Sequence, residues 1–194
     1  METLSTINFL MAAVFAACYC YQVVFAVARL LKKRRRFTAQ KLCRYAVLIA
    51  ARNESAVIAQ LLESIRGQNY PQDLVHVYVV ADNCTDDTAQ VSRRAGAIVY
   101  ERFNQHKKGK GYALDYLFRT LVHEGRDQYD GYLIFDADNL VDPNFVSEMN
   151  KVFDSGYKVV TSYRNSKNYD TNWITAGYSL WFIREAKYLN NPRM

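Results

Sequence analysis

A chain of 194 residues, half of them hydrophobic and including 15 Tyr and 10 Phe, is long enough to bury one substantial core, which argues against a disordered chain. Its formal charge of +6 comes mostly from one run, Lys32, Lys33, Arg34, Arg35 and Arg36, so the remainder is close to neutral and a basic nucleic-acid groove is not indicated. Cys18 and Cys20 lie in an apolar segment while Cys43 and Cys84 are isolated, which points to neither a disulfide framework nor a CxxC zinc site.

From Ser5 to Ala28 no side chain is charged. The segment is apolar enough to cross a hydrocarbon core, which needs about 20 residues at about 1.5 Å each. A cleaved signal peptide fits less well, because Glu2 rather than Lys or Arg precedes the run and the run exceeds a signal core of roughly 7 to 15 residues. A buried globular helix would seldom be apolar on every face. The segment therefore reads as a transmembrane helix, and the basic residues after it place everything beyond Arg36 in the cytoplasm. Residues 1–36 are expected to form this helix and its basic flank, and 37–194 a single domain.

Within that domain, YAVLIAA (45–51) predicts a buried strand, with Asn53 and Glu54 as cap and first-turn acid of a helix carrying Val57, Ile58, Leu61, Leu62 and Ile65. VHVYVVA (75–81) predicts a second strand, followed by the polar turn DNCTDD and a helix ending at Gly96. AIVY (97–100) predicts a third. A Lys/Gly loop then opens a helix with Ala113, Leu114, Leu117, Phe118, Leu121 and Val122 on one face. YLIF (132–135) predicts a fourth strand, Asp142 and Pro143 the start of the next helix, and YKVVTSY (157–163) a fifth strand. The final segment, from Asn172, reads as an amphipathic helix ending near Asn190, its aromatic residues serving as core or interface. Strands alternating with helices imply an α/β fold with a mostly parallel sheet, whose ligands gather at the carboxyl ends of the strands.

Those ends are rich in chemistry. Strand one finishes in Asn53 and Glu54, strand two in Asp82 and Asn83, strand four in Asp136, Ala137 and Asp138. Clustered acids repel one another unless a cation compensates them, and Mg²⁺ or Mn²⁺ would bind through one or two carboxylates, with water and phosphate oxygens completing the shell. Asp142 is explained by capping alone, but two acids one residue apart after a buried strand exceed what a cap requires. HKKGKGYALD (106–115) supplies the complement: Lys107, Lys108 and Lys110 around two glycines at a helix start, where free amides and the dipole favour phosphate. It is neither a Walker loop nor a GxGxxG fingerprint.

The succession YAVLIAARNES, SIRGQNYPQDLVHVYVVADNCTDDT, NQHKKGKGYALDYLF and YLIFDADNLVDPNFV resembles the family 2 glycosyltransferases of the GT-A fold over about Arg44 to Arg164, and especially the membrane-bound bacterial members. The resemblance implies a nucleotide-sugar donor, a glycan or lipid-linked acceptor, and a single inverting displacement. By position, Asn53 and Glu54 lie beside the nucleoside, Asp82 binds the uracil ring, Lys110 meets base and diphosphate, Asp136 sits near the ribose, and Asp138 holds the metal on the diphosphate. Arg164 resembles a later arginine of these enzymes.

Three departures from the pattern are visible: Ala51 for proline or tyrosine, Ala81 for the first of two acids, and Thr161 with Ser162 for Gln-Gly. Relatives also continue into an acceptor-binding half with the catalytic base and, in processive members, a QxxRW motif. The base is therefore expected beyond Met194. A membrane-anchored nucleotide-sugar binding protein would share Asp82, Lys110 and Asp138. A sugar nucleotidyltransferase would need a Gly-rich loop after strand one, and AARNES has no glycine.

Overall fold

The computed structural model describes residues 2–31 and 36–186. They fall into two compact units: one spans Phe37–Val160, and the other comprises the residues up to Arg36 together with those from Thr161 onward.

In the first unit β1 (Tyr45–Ala51), β2 (Val75–Asp82), β3 (Ile98–Arg102) and β4 (Gly131–Asp136) form one parallel sheet in the order β3-β2-β1-β4. Parallel strands need crossovers, and these are supplied by the helices α2 (Ile58–Arg66), α3 (Thr88–Arg94) and α4 (Lys110–His123), with α5 (Phe145–Asp154) after β4. Alternation along the strands divides the core into two. Odd-numbered Tyr45, Val47, Ile49, Val75 and Val79 pack with Ile58, Leu61, Leu62 and Ile65 of α2 and Val146 of α5. Even-numbered Ala46, Leu48, Tyr78 and Val80 pack with Ala113, Leu117 and Leu121 of α4. Fully burying a Val, Leu or Ile is worth about 1.5–3 kcal/mol, so β1, buried on both faces, is the keel of the unit.

Buried Asn150 ties α5 to the start of β1. Its Oδ1 accepts hydrogen bonds from the Tyr45 hydroxyl at 2.9 Å, the Tyr70 hydroxyl at 3.1 Å and the Cys43 amide at 3.2 Å, and its Nδ2 donates to the Lys41 carbonyl at 2.8 Å. Burial raises the Tyr70 phenol to about 12. Gly131, which opens β4, is needed for close approach: a Cβ there would stand 2.9 Å from the Tyr45 ring.

Between β1 and Tyr163 the structure departs from the expected elements in four places. The helix after β1 begins at Ile58, with Val57 as N-cap, and Asn53 instead takes a left-handed turn at φ 55°. The helix after β4 begins at Phe145, and Asp142 closes the preceding turn by accepting from the Asn144 amide at 2.9 Å. Third, β3 runs two residues past Tyr100, to Arg102. Finally, YKVVTSY forms no strand: its β-branched content favours one, but it has no ladder partner, and Val159 is 91% exposed.

The second unit contains α1 (Glu2–Leu31) and α6 (Trp173–Ile183). Within α1, Thr3–Ala28 is long and apolar enough to cross a membrane. Helix α6 starts with a capping box, in which the Asn172 side chain accepts from the Thr175 amide at 3.0 Å while the Thr175 hydroxyl reaches back to the Asn172 amide. It is uncharged and exposes Trp173, Ile174, Tyr178, Leu180 and Trp181, so it is apolar rather than amphipathic. The expected helix end near Asn190 and the basic residues Lys32–Arg35 lie outside the described residues.

Candidate functional site

The parallel sheet brings its carboxyl ends to one edge, and strand alternation then sorts the side chains there. Asp82, Arg102 and Asp136 all occupy even positions on the face covered by α4. Asp82 and Asp136 belong to strands on either side of β1, so they stand two strand spacings apart, about 10 Å across the sheet. That separation leaves room along the edge for an extended ligand.

At one end of this edge is a buried ion pair. Asp82 and Arg102 are register partners on β2 and β3, and Arg102 Nη1 donates to Asp82 Oδ1, with side chains only 5% and 7% exposed. Removing one partner of such a pair costs about 3–5 kcal/mol because the other charge is left buried alone. Asn83, held at φ 52°, donates from Nδ2 to Asp82 Oδ1 at 3.1 Å and to the Asn104 carbonyl at 3.2 Å. Its Oδ1 accepts from the Asn104 amide at 2.9 Å, and Asn104 Oδ1 in turn accepts from the amides of His106 and Lys107. The strand-two turn and the lysine loop are therefore one hydrogen-bonded assembly.

At the other end Lys110, the first residue of α4, pairs with Asp136 Oδ1. Gly109 precedes it at φ 115°, a conformation that a side chain would strain. The first-turn amides of a helix have no helical acceptor, and here they follow a loop of three lysines, so the α4 end is electropositive. An open groove lined by Lys108, Gly109, Gly111, Tyr112 and Asp115 lies beside it. A more enclosed cavity, lined by Tyr45, Asp130, Gly131 and Lys158 among others, is at the opposite, amino ends of β1 and β4 and is remote from these groups.

The remaining site residues of the sequence fall as follows. Asn53 Oδ1 accepts from the Thr85 amide at 2.8 Å, joining the ends of β1 and β2. The Glu54 amide donates to the Thr88 hydroxyl at 2.8 Å, leaving the Glu54 carboxylate uncommitted to this staple. Hydrogen bonds from Ser55 and from Thr88 hold the Asp86 carboxyl well below the usual carboxylate range, so this acid is a fixed loop anchor. Asp138 is exposed just past β4, with Oδ1 accepting from Asn139 Nδ2 at 3.2 Å. Among the described residues no group of three or more His, Cys, Asp or Glu could enclose a metal. An exposed carboxylate with Asp136 nearby in sequence nevertheless fits a hard divalent ion that takes one or two protein oxygens and completes its shell from water and phosphate. Arg164 belongs to the second unit, where its guanidinium lies 5.0 Å from the centroid of the Phe182 ring. Arg102 is the residue that sequence reasoning missed; ending β3 two residues later would have put it in register with Asp82.

Comparison with known proteins bears on the family and the fold. Residues 43–189 match the model of the family described as "Glycosyltransferase like family 2". Protein RfbJ of Shigella flexneri is 31% identical over 134 residues, which is 69% of this chain and 94% of that protein. The mannosyltransferase PcManGT from Pyrobaculum calidifontis, solved with GDP-Man and Mn²⁺, is similar with a TM-score of 0.54 at 27% identity. That alignment covers 66% of this chain and 38% of the mannosyltransferase chain, so the present chain spans well under half of that relative's length. Its parallel sheet, the helices that flank it and the family match together establish that the chain belongs to glycosyltransferase family 2, with the GT-A fold.

Proposed function

We propose that the carboxyl edge of the sheet binds a nucleoside diphosphate-sugar, and that the chain is the donor-binding part of a membrane glycosyltransferase acting on a glycan, polysaccharide or lipid-linked acceptor. The observation that carries this reading is the sharing of one sheet face by Asp82 and Asp136, with Lys110, at the start of α4, paired to Asp136.

In this reading Asn53 and Glu54 line the nucleoside. Asp82, paired with Arg102, accepts an N–H from the base, which suits uracil and equally the imino group of guanine. Asp136 faces the ribose. Lys110 and the first-turn amides of α4 meet the diphosphate and stabilise the charge that grows on it as the glycosidic bond lengthens. Asp138 would hold Mg²⁺ or Mn²⁺, which when bound supplies Lewis-acid stabilisation of the leaving diphosphate. An acceptor hydroxyl attacks the anomeric carbon from the opposite face, inverting it, and gives its proton to a carboxylate acting as general base. Helix α1 crosses the membrane with the sheet on the cytoplasmic side.

Incubating the chain, in detergent or in membranes, with UDP-sugars and GDP-sugars and Mn²⁺ tests the activity. The proposal expects nucleoside diphosphate release that rises when membrane acceptors are present. Donor binding without any release would instead indicate a nucleotide-sugar binding protein. The guanosine donors belong in the assay because the mannosyltransferase relative holds GDP-Man.

A further inference from the structure

Arg102 makes more contacts than the neutralisation of one acid requires. Its guanidinium donates from Nη1 to Asp82 Oδ1 at the end of β2 and from Nη2 to the Lys107 carbonyl at 2.7 Å, and it lies 5.9 Å from the centroid of the Tyr116 ring on α4. One rigid, planar group thus touches the end of β2, the loop before α4 and α4 itself. Three residues separate the captured carbonyl of Lys107 from Gly111, and Lys110 lies among them. We propose that Arg102 is a positioning residue that couples the two halves of the donor site: it fixes the Asp82 carboxylate toward the base and, through the Lys107 carbonyl, sets where the loop presents Lys110 to the diphosphate.

The coupling follows from guanidinium geometry. A planar fork can serve two acceptors at fixed angles, whereas an ammonium is a point charge that cannot hold both in the same arrangement. The Asp82 carboxylate is withdrawn from water with it, so that end of the fork has no solvent to fall back on, and the contact with the Lys107 carbonyl is half-buried. If Asp82 becomes an amide, the charge that holds Nη1 is lost and the fork can tilt. The effect should then pass to the lysine loop, although Asp82 itself never touches a phosphate. If Arg102 served only to neutralise Asp82, changes at either residue would be felt by the nucleoside alone.

The proposal rests on the donor-site reading above, and its test separates the two. Uridine and UDP with Mn²⁺ are titrated calorimetrically into the wild-type chain, Asp82→Asn and Arg102→Lys, and amide exchange is followed over residues 104–109 without ligand. Both substitutions are chosen because they preserve much of the side chain, and thermal melts show that each variant is folded. The expected result is weaker uridine binding together with a fall of roughly tenfold or more in the UDP-to-uridine affinity ratio, as for one lost charge-assisted hydrogen bond. Exchange over 104–109 should also accelerate by about tenfold in both variants, on the same hydrogen-bond scale. An unchanged affinity ratio and unchanged exchange would overturn the coupling while leaving the donor site standing. Failure of the wild-type chain to bind uridine or UDP, with guanosine and GDP failing in the same titration, would sink the donor site and the coupling with it. If a variant does not fold, the exchange and affinity ratio of the other decide the matter.

Discussion

Lys110 and Asp136 pair across the mouth of α4 with side chains 44% and 62% exposed. An ion pair so open to water is worth about 0–1 kcal/mol, so exchanging one partner for a phosphate disturbs little else. Asp82 and Arg102 are the opposite case, since their burial makes the pair part of the scaffold. Replacing Lys110 with Ala should therefore weaken UDP by about tenfold or more, on the scale of one charge-assisted contact, and uridine far less. Equal losses for the two ligands in a calorimetric titration would mean that Lys110 meets only the base. Asp136, Asp138 and Lys110 are legible in the sequence because each breaks a pattern, as charge after an apolar run or lysine among glycines at a helix start. Arg102 is not, because a single arginine after a short strand has no such contrast. Its meaning comes from the β2–β3 register, which only the assembled sheet defines.

At the scale of elements, periodicity places β1, β2, β4 and α4 to within a residue or two, because each buries a face and the buried face dictates the spacing. The failures share a cause. YKVVTSY has strand composition, but a strand exists only through its ladder, and no described strand lies beside it. The turn at 53–57 carries cap residues, yet Asn53 spends its oxygen on Thr85 rather than on a helix amide, so α2 starts later than its cap signal. Helix α1 rests on length and apolarity: 26 residues rise about 39 Å, enough for a hydrocarbon core of about 30 Å. The chain expressed with α1 should stay with membranes through alkaline carbonate washing, and a chain starting at Phe37 should be released. Release of both would remove the span from the account.

On the whole-molecule scale, the parallel order β3-β2-β1-β4 turns scattered residues into one edge. Residues from Asn53 to Asp138 are separated by tens of positions, yet they share that edge because every strand points the same way. This was foreseeable from alternating strands and helices. The division of labour along the edge was not, because it depends on which face each side chain takes. The central claim is that this edge is a metal-assisted nucleoside diphosphate site. Its most direct test is a calorimetric titration of UDP, and in parallel GDP, into the wild-type chain and Asp138→Asn, each with and without Mn²⁺. The account predicts that one of the two nucleotides binds the wild-type chain more tightly with Mn²⁺ and that Asp138→Asn abolishes this increment. Equal affinity in the two proteins, with the same response to the ion, would contradict it.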